Sequence, residues 1–402
     1  MKLLYFSRDY TTHDHRFLSA LAQSEHQVYF LRLERRGHQL EDRPLPPEVQ
    51  QIPWAGGSAP AALGDGPRLL NNLKRVIRQV KPDLIQAGPL QRSAFLVALA
   101  GFHPLVSMSW GYDLIHDASL NAGWRWATRF TLKRSDLMLG DCNTIRQLAI
   151  SYGMPSERIL TFPWGIDLQH FTPSPSGEAQ TEAFNPGQAP FTLLSARSWE
   201  PIYGVDVIAR AFVKAARLRP NLRLVMLGNG SQAAMLRQTF LSNGLLGTGG
   251  SAGDTLDSGA DGQPHWGPGV LFPGQISYAD LPRFYRSADL YISASHSDGT
   301  SISLLEAMAC GLPALVSDIP GNQEWVTSGE NGWLFPDGDV DALAQAILQA
   351  AEQRDQQPEA RAAMAHKSRQ VAEARANWKE NIQLLLDAYK SLVPSHQNFL
   401  FH

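Results

Sequence analysis

Short apolar runs alternate with longer segments of mixed, helix-like pattern along most of the chain. LLYFS (Leu3–Ser7), VYFLRL (Val28–Leu33), PDLIQAG (Pro82–Gly88), PLVSMSWG (Pro104–Gly111), DLMLGDC (Asp136–Cys142) and RILTFPWGID (Arg158–Asp167) read as strands. Several of them end in small or polar residues. Their nearly continuous apolar character predicts burial on both faces, as in a parallel sheet covered by helices. Helical patterns such as Phe17, Leu18 and Leu21 separate them, which predicts βαβ units.

A second series of the same kind follows a break. Leu168–Pro190 is rich in Pro, Ser and Gly without periodicity and reads as a linker. Beyond it come FTLLSAR, LRLVMLGNG, VLFPGQ, LYISAS and PALVSD, again alternating with helical pattern. Gly244–Gly269 reads as an inserted surface loop, and the tail carries the periodic pieces DALAQAILQAA and NIQLLLDAYKSLV. The expected organisation is α/β: two doubly wound, Rossmann-like domains facing a cleft. They span 1–170 and 191–375, with a linker at 171–190 and a C-terminal helix and tail at 376–402. That last helix is a candidate to cross back onto the first domain.

Composition narrows the class. At 402 residues, 44% hydrophobic and 18% charged, the chain suits a two-domain globular enzyme. A net charge of −3 supplies no global field for nucleic acid. Two distant cysteines, Cys142 and Cys310, make neither a disulfide scaffold nor a zinc ribbon and fit a reducing compartment. The longest apolar run, Ala94–Phe102, is far shorter than the ~20 residues of a membrane span. A cytoplasmic location is expected, with peripheral contact at the membrane's inner face left open.

The chemistry concentrates in SHSDGTSISLLEAMACGLP (Ser295–Pro313), where a strand ends and a helix begins near Thr300 or Ser301. Ligands of open parallel sheets bind at the carboxyl ends of strands. A helix N-terminus there suits a phosphate. Gly299 permits close backbone approach, and Thr300 and Ser301 add hydroxyls or cap the helix. Two acids remain. Carboxylates are poor neighbours for phosphate but good acceptors for sugar hydroxyls, so Glu306 on one sugar and Asp298 on another fit a diphosphate flanked by two sugars. That ligand is a nucleotide sugar. Arg197, at the end of FTLLSAR, reads as a phosphate clamp. Gly228 and Gly230 read as a loop lining the nucleotide pocket. The surrounding G-x-G-x-x-A is also a partial dinucleotide fingerprint, but its acid, Asp254, falls inside the inserted tract, and NAD is discounted.

The segment DGTSISLLEAMACGLPALVSDIPGNQEWVTSGENGWLF resembles the signature of the retaining glycosyltransferases of family 4 (glycosyl transferases group 1), which adopt the GT-B fold. The family carries an acid, seven residues, then Glu; here Asp298 replaces the commoner Glu. SARSWEPIYGVD is similar to the family's second landmark, with Arg197 in place and Tyr203 where a diphosphate-binding lysine usually stands. The resemblance spans roughly Ser135 to Asp339. It implies transfer of a sugar from a nucleoside-diphosphate sugar to a hydroxyl acceptor (polysaccharide, glycolipid or small glycoside). It also implies retention of configuration, no metal or other cofactor, and a role in polysaccharide or cell-envelope biosynthesis. The catalytic set is Asp298, Glu306 and Arg197, with Glu306 on the ribose and Gly228, Gly230, Gly299, Thr300, Ser301 and Tyr203 on the donor. On the acceptor side the first domain departs from the family, offering His13, Asp14, Trp110 and Asp113. A metal at His13, Asp14 and His15 is not expected. The basic, aromatic stretch 124–136 leaves contact with anionic lipid open. The rival reading is a non-catalytic nucleotide-sugar sensor or complex partner.

Overall fold

The structure is a computed structural model and describes residues 1–35, 41, 43–174, 190–246 and 269–393. Most of the expected linker and nearly all of the expected inserted loop lie outside the described residues. Contacts divide the chain into two units: unit 1 is Met1–Pro163 together with the chain from Lys379, and unit 2 is Trp164–Trp378.

Unit 1 is a seven-stranded parallel sheet: β1 (Lys2–Ser7), β2 (Gln27–Arg32), β3 (Gln50–Gln51), β4 (Leu84–Gly88), β5 (Leu105–Met108), β6 (Leu137–Gly140) and β7 (Ile159–Thr161). Its spatial order is β3-β2-β1-β4-β5-β6-β7. The register pairs Leu4 with Tyr29 on one side and with Ile85 on the other. All five residues of β4 are buried, as both-face coverage requires. Helix Gly66–Val80 supplies cover by turning Leu69, Leu73, Val76 and Val80 inward at helical spacing. Each such aliphatic side chain, taken out of water, contributes about 1.5–3 kcal/mol. The helix Trp378–Leu392 completes this unit. It buries Ile382, Leu385 and Tyr389, and the Tyr389 hydroxyl donates to Gln86 on β4.

Unit 2 holds a six-stranded parallel sheet: β8 (Phe191–Ser195), β9 (Leu222–Leu227), β10 (Gly269–Gly274), β11 (Leu290–Ser293), β12 (Ala314–Ser317) and β13 (Gly332–Phe335). The order is β10-β9-β8-β11-β12-β13. One face packs on helix Val205–Leu218, whose Val205, Ile208, Phe212 and Ala215 are fully buried. The other packs on helix Ile302–Ala309, apolar nearly all round, with Leu304, Leu305 and Met308 inside.

Both sheets are doubly wound, as expected, and both reverse direction at one place. From β8 the chain steps outward to β9 and β10, then returns to β8's other side as β11. At that reversal the following helices leave on opposite faces, and the strands' carboxyl ends open a crevice. Arg197 follows β8, and Asp298 follows β11.

Candidate functional site

The reversal in unit 2 brings together residues about a hundred positions apart. Arg197 Nη1 donates to Ser301 Oγ at 2.8 Å and to Ser303 Oγ at 3.4 Å. Its Nη2 lies 2.6 Å from Asp298 Oδ2, a close charge contact rather than a well-aligned hydrogen bond, because Oδ2 has no hydrogen-bond partner. Arg197 Nε is likewise buried without one. The guanidinium lies 4.1 Å over the Tyr203 ring, a cation–π contact. Burial opposes the charge of Arg197, but Asp298 together with Tyr203, Tyr291 and Tyr285 outweighs it and holds the pKa above the usual value. Asp298 responds the other way. Burial raises its pKa, against the lowering effects of Arg197 and the Gly299 N–H. The surroundings therefore compensate the buried cation but not the buried anion.

Ser301 is the N-cap of helix Ile302–Ala309, its Oγ accepting from Leu304 N at 3.4 Å. The helix's first turn thus opens beside Arg197, at a point of positive potential. Glu306 sits one turn further in, 6% exposed, with Oε2 accepting from the Tyr285 hydroxyl at 2.7 Å. Behind Ser303 stands Tyr291 of β11, whose hydroxyl is 2.7 Å from Ser303 Oγ. Thr300 and Gly299 are buried in the preceding turn. The Asp298–Gly299 carbonyls lie so close to Gly321 that a Cβ there would come within 2.5 Å of both.

Gly228 and Gly230 follow β9 in a loop laid against Ser198–Glu200. Trp199 N donates to Asn229 O at 3.0 Å, and Gln232 N to Trp199 O at 2.9 Å. A Cβ on Gly230 would meet Trp199 O at 2.5 Å. This close approach of two backbones accounts for a glycine there. Tyr203 precedes Gly204, whose φ of +57° and Cβ position 2.0 Å from Ala294 O admit no side chain. Arg197, Tyr203, Asp298, Ser301 and Glu306, the residues expected on the donor, are therefore gathered in one unit. Sequence reasoning missed Tyr285, Tyr291 and Ser303.

In unit 1 the corresponding reversal lies between β1 and β4. His13 and Trp110 meet beside it, ring centroids 5.2 Å apart and planes tilted by 33°, both half-buried. The two acids expected on the acceptor side face inward instead. Asp14 is fully enclosed; with Thr11 it forms the capping box of helix Thr12–Ala22, and it accepts from Tyr5 at 3.0 Å. Asp113, 3% exposed, accepts from Leu90 N, Ser109 Oγ and Trp110 N at 3.0, 2.6 and 3.0 Å. Burial pushes both carboxyls up to about 6. Their physical role is to fix the backbone carrying His13 and Trp110. Arg92, which follows β4, was also missed. It lies over Trp124 at 5.0 Å, with Nε lacking a hydrogen-bond partner. Among the described residues no three His, Cys, Asp or Glu side chains form a metal-binding group.

Comparisons with known proteins agree with this architecture. Residues 190–353 match the family described as Glycosyl transferases group 1, and residues 11–170 match Glycosyltransferase Family 4. A D-inositol 3-phosphate glycosyltransferase of Saccharomonospora viridis is 28% identical over 61% of this chain and 53% of its own length. The chain thus spans about half of that relative. A GDP-mannose-dependent alpha-(1-6)-phosphatidylinositol monomannoside mannosyltransferase of Mycolicibacterium smegmatis is 24% identical over 70% of both chains. Among solved structures, HepE of Anabaena in complex with UDP-glucose superposes with a TM-score of 0.73 at 19% identity, covering 98% of this chain and 100% of that one. Two matched domains that cover most of the sequence, and a GT-B architecture shared from end to end, place the chain in the group 1, family 4 glycosyltransferases.

Proposed function

We propose that the chain transfers a sugar from a nucleoside-diphosphate sugar to a hydroxyl acceptor, with retention of anomeric configuration. The observation that carries this reading is the Arg197 guanidinium at the open first turn of helix Ile302–Ala309, with Asp298 paired to it and Glu306 one turn further along the helix. A diphosphate would take the guanidinium and the helix N–H groups. Glu306, held by Tyr285, would accept from ribose hydroxyls, and Asp298 from hydroxyls of the transferred sugar. When the bond from the anomeric carbon to the diphosphate breaks, charge develops on the departing oxygen. Arg197 and the helix terminus are already aimed there, which is the largest contribution such a site makes. The acceptor oxygen gains the anomeric carbon and gives its proton to the departing diphosphate oxygen. No metal is assigned, and activity in excess chelator is expected. His13, Trp110 and Arg92 supply the acceptor side. The names of the relatives support a phosphate- or lipid-bearing acceptor of cell-envelope synthesis.

The second reading is a nucleotide-sugar sensor without catalysis. Tyr203 in place of a lysine favours it, because one cation rather than two then faces the diphosphate. A thermal-shift screen against UDP-, GDP-, ADP- and TDP-sugars tests both. A ligand at a hundred times its Kd stabilises a fold by about 2.7 kcal/mol. One nucleotide should stabilise the native chain and not Arg197→Ala, and donor turnover should vanish in Glu306→Ala. Stabilisation without turnover in the native chain selects the sensor. No shift with any donor removes both readings.

A further inference from the structure

We propose that helix Ala122–Arg134 of unit 1, with Phe95 beside it, is a docking face for an anionic lipid surface. The helix carries no acid: its charged residues are Arg125, Arg129, Lys133 and Arg134, all exposed. Arg125, Arg129 and Lys133 recur every four residues and so form one stripe along the helix. The stripe one residue further round is Trp126, Phe130 and Arg134. Trp126 is 57% exposed and rests on Phe130 and Phe95, centroids 5.3 and 5.6 Å away. Phe130 also touches Phe95 at 5.7 Å, and Arg134 lies over its ring at 4.9 Å. Leu120, at the helix's start, is 51% exposed.

None of the four cations makes an ion pair among the described residues. The nearest carboxylates in sequence are already engaged, Asp117 by His116 and Asp136 by His103. A row of uncompensated cations bordering an aromatic cluster, with Trp126 exposed and Phe130 and Phe95 half-buried, matches the two layers of a bilayer boundary. Phosphate headgroups meet the cations, while Trp and Phe favour the depth just beneath. Nucleic acid is disfavoured because the net charge is −3 and this stripe of cations is only one helix long. A protein partner is disfavoured because the face is rich in charge at its centre, where protein interfaces are depleted of it.

The test uses the full chain and sedimenting vesicles, either pure phosphatidylcholine or phosphatidylcholine with about one third phosphatidylglycerol. Binding to the anionic vesicles alone, weakened by salt, is expected. Each cation near such a surface changes the partition constant about fivefold, so Arg125→Gln, Arg129→Gln and Lys133→Gln together should weaken it roughly a hundredfold. Because all three side chains are exposed, the variant should keep the native melting curve. Brominated lipid tails should quench native fluorescence and lose that fraction in Trp126→Phe. Equal binding to both vesicles, or an unaltered partition of the triple variant, overturns the proposal. So does a solution dimer that Trp126→Ser converts to monomer, since a second copy would then be the occupant.

Discussion

Asp298→Asn should bind a bare nucleoside diphosphate more tightly than the native chain does, while transferring sugar more slowly. The first half follows from what holds Arg197. Asp298 Oδ2 stands 2.6 Å from Nη2, where a phosphate oxygen would otherwise be. An incoming diphosphate must share or displace that carboxylate. The side chains are 11% and 18% exposed, which sets the magnitude between two regimes. Exposed pairs contribute about 0.2–1 kcal/mol, and breaking a fully buried one costs about 3–5 kcal/mol. Poor hydrogen-bond alignment puts this pair in the lower half of that range, about 1–2 kcal/mol. Asparagine keeps the shape and removes the charge, so the diphosphate's Kd should fall roughly fivefold to thirtyfold. Isothermal titration calorimetry with the diphosphate selected by the thermal-shift screen measures it. The transferred sugar adds little in the variant, so the affinities for diphosphate and for its sugar should converge. Unchanged or weaker diphosphate binding would refute the reasoning, because Arg197 would then not be the anion's partner.

Three further outcomes are expected. Tyr285→Phe removes the buried hydroxyl that holds Glu306, at about 1.5–3 kcal/mol for a bond to a charged acceptor; KM for the donor should rise at least tenfold with the fold intact by circular dichroism. Gly204→Ala drives a Cβ onto the Ala294 carbonyl from a left-handed backbone, and should cost about 3 kcal/mol or more, seen as a Tm lower by roughly 6–12 °C. Asp113, lifted from 3.8 to about 6 in the folded state, binds its proton more readily there than when unfolded. Its contribution to stability is therefore full below about pH 3.8 and lost as the pH rises through about 6. The stability of the native chain relative to Asp113→Asn should decline by roughly 2–3 kcal/mol across that window in urea titrations; a flat difference would mean that the carboxyl is not raised.

How much of this was legible depended on how local each signal was. Strands β1, β4, β5, β8, β9 and β12 stood out because both-face burial writes an unbroken apolar run. β3 is two exposed glutamines, Gln50 and Gln51, and no periodicity announces it. Asp298, Glu306 and Arg197 are legible as candidates because each sits within a short pattern whose spacing has a chemical meaning. Tyr285 reaches Glu306 from 21 residues away, across a helix and a strand, and no spacing rule connects them. The inward turn of Asp14 did have a local signal. Thr11-x-x-Asp14 is a capping-box pattern, and weighing it would have placed the carboxylate on its own helix rather than on a ligand. Tyr203 shows the reverse case. Its departure from the usual lysine was visible, whereas its stacking under Arg197 required coordinates.

Unit 1 is discontinuous: its sheet comes from the first 163 residues, and its closing helix, Trp378–Leu392, follows the whole of unit 2. During synthesis the seven strands emerge long before the helix that buries Tyr389 against them. Unit 2 has every one of its own elements in hand by Trp378. The usual head-first order of folding on the ribosome is thereby inverted, with the later unit finishing first. Until then the surface around Gln86 and His26, which Tyr389 covers in the finished chain, is left uncapped on the nascent protein.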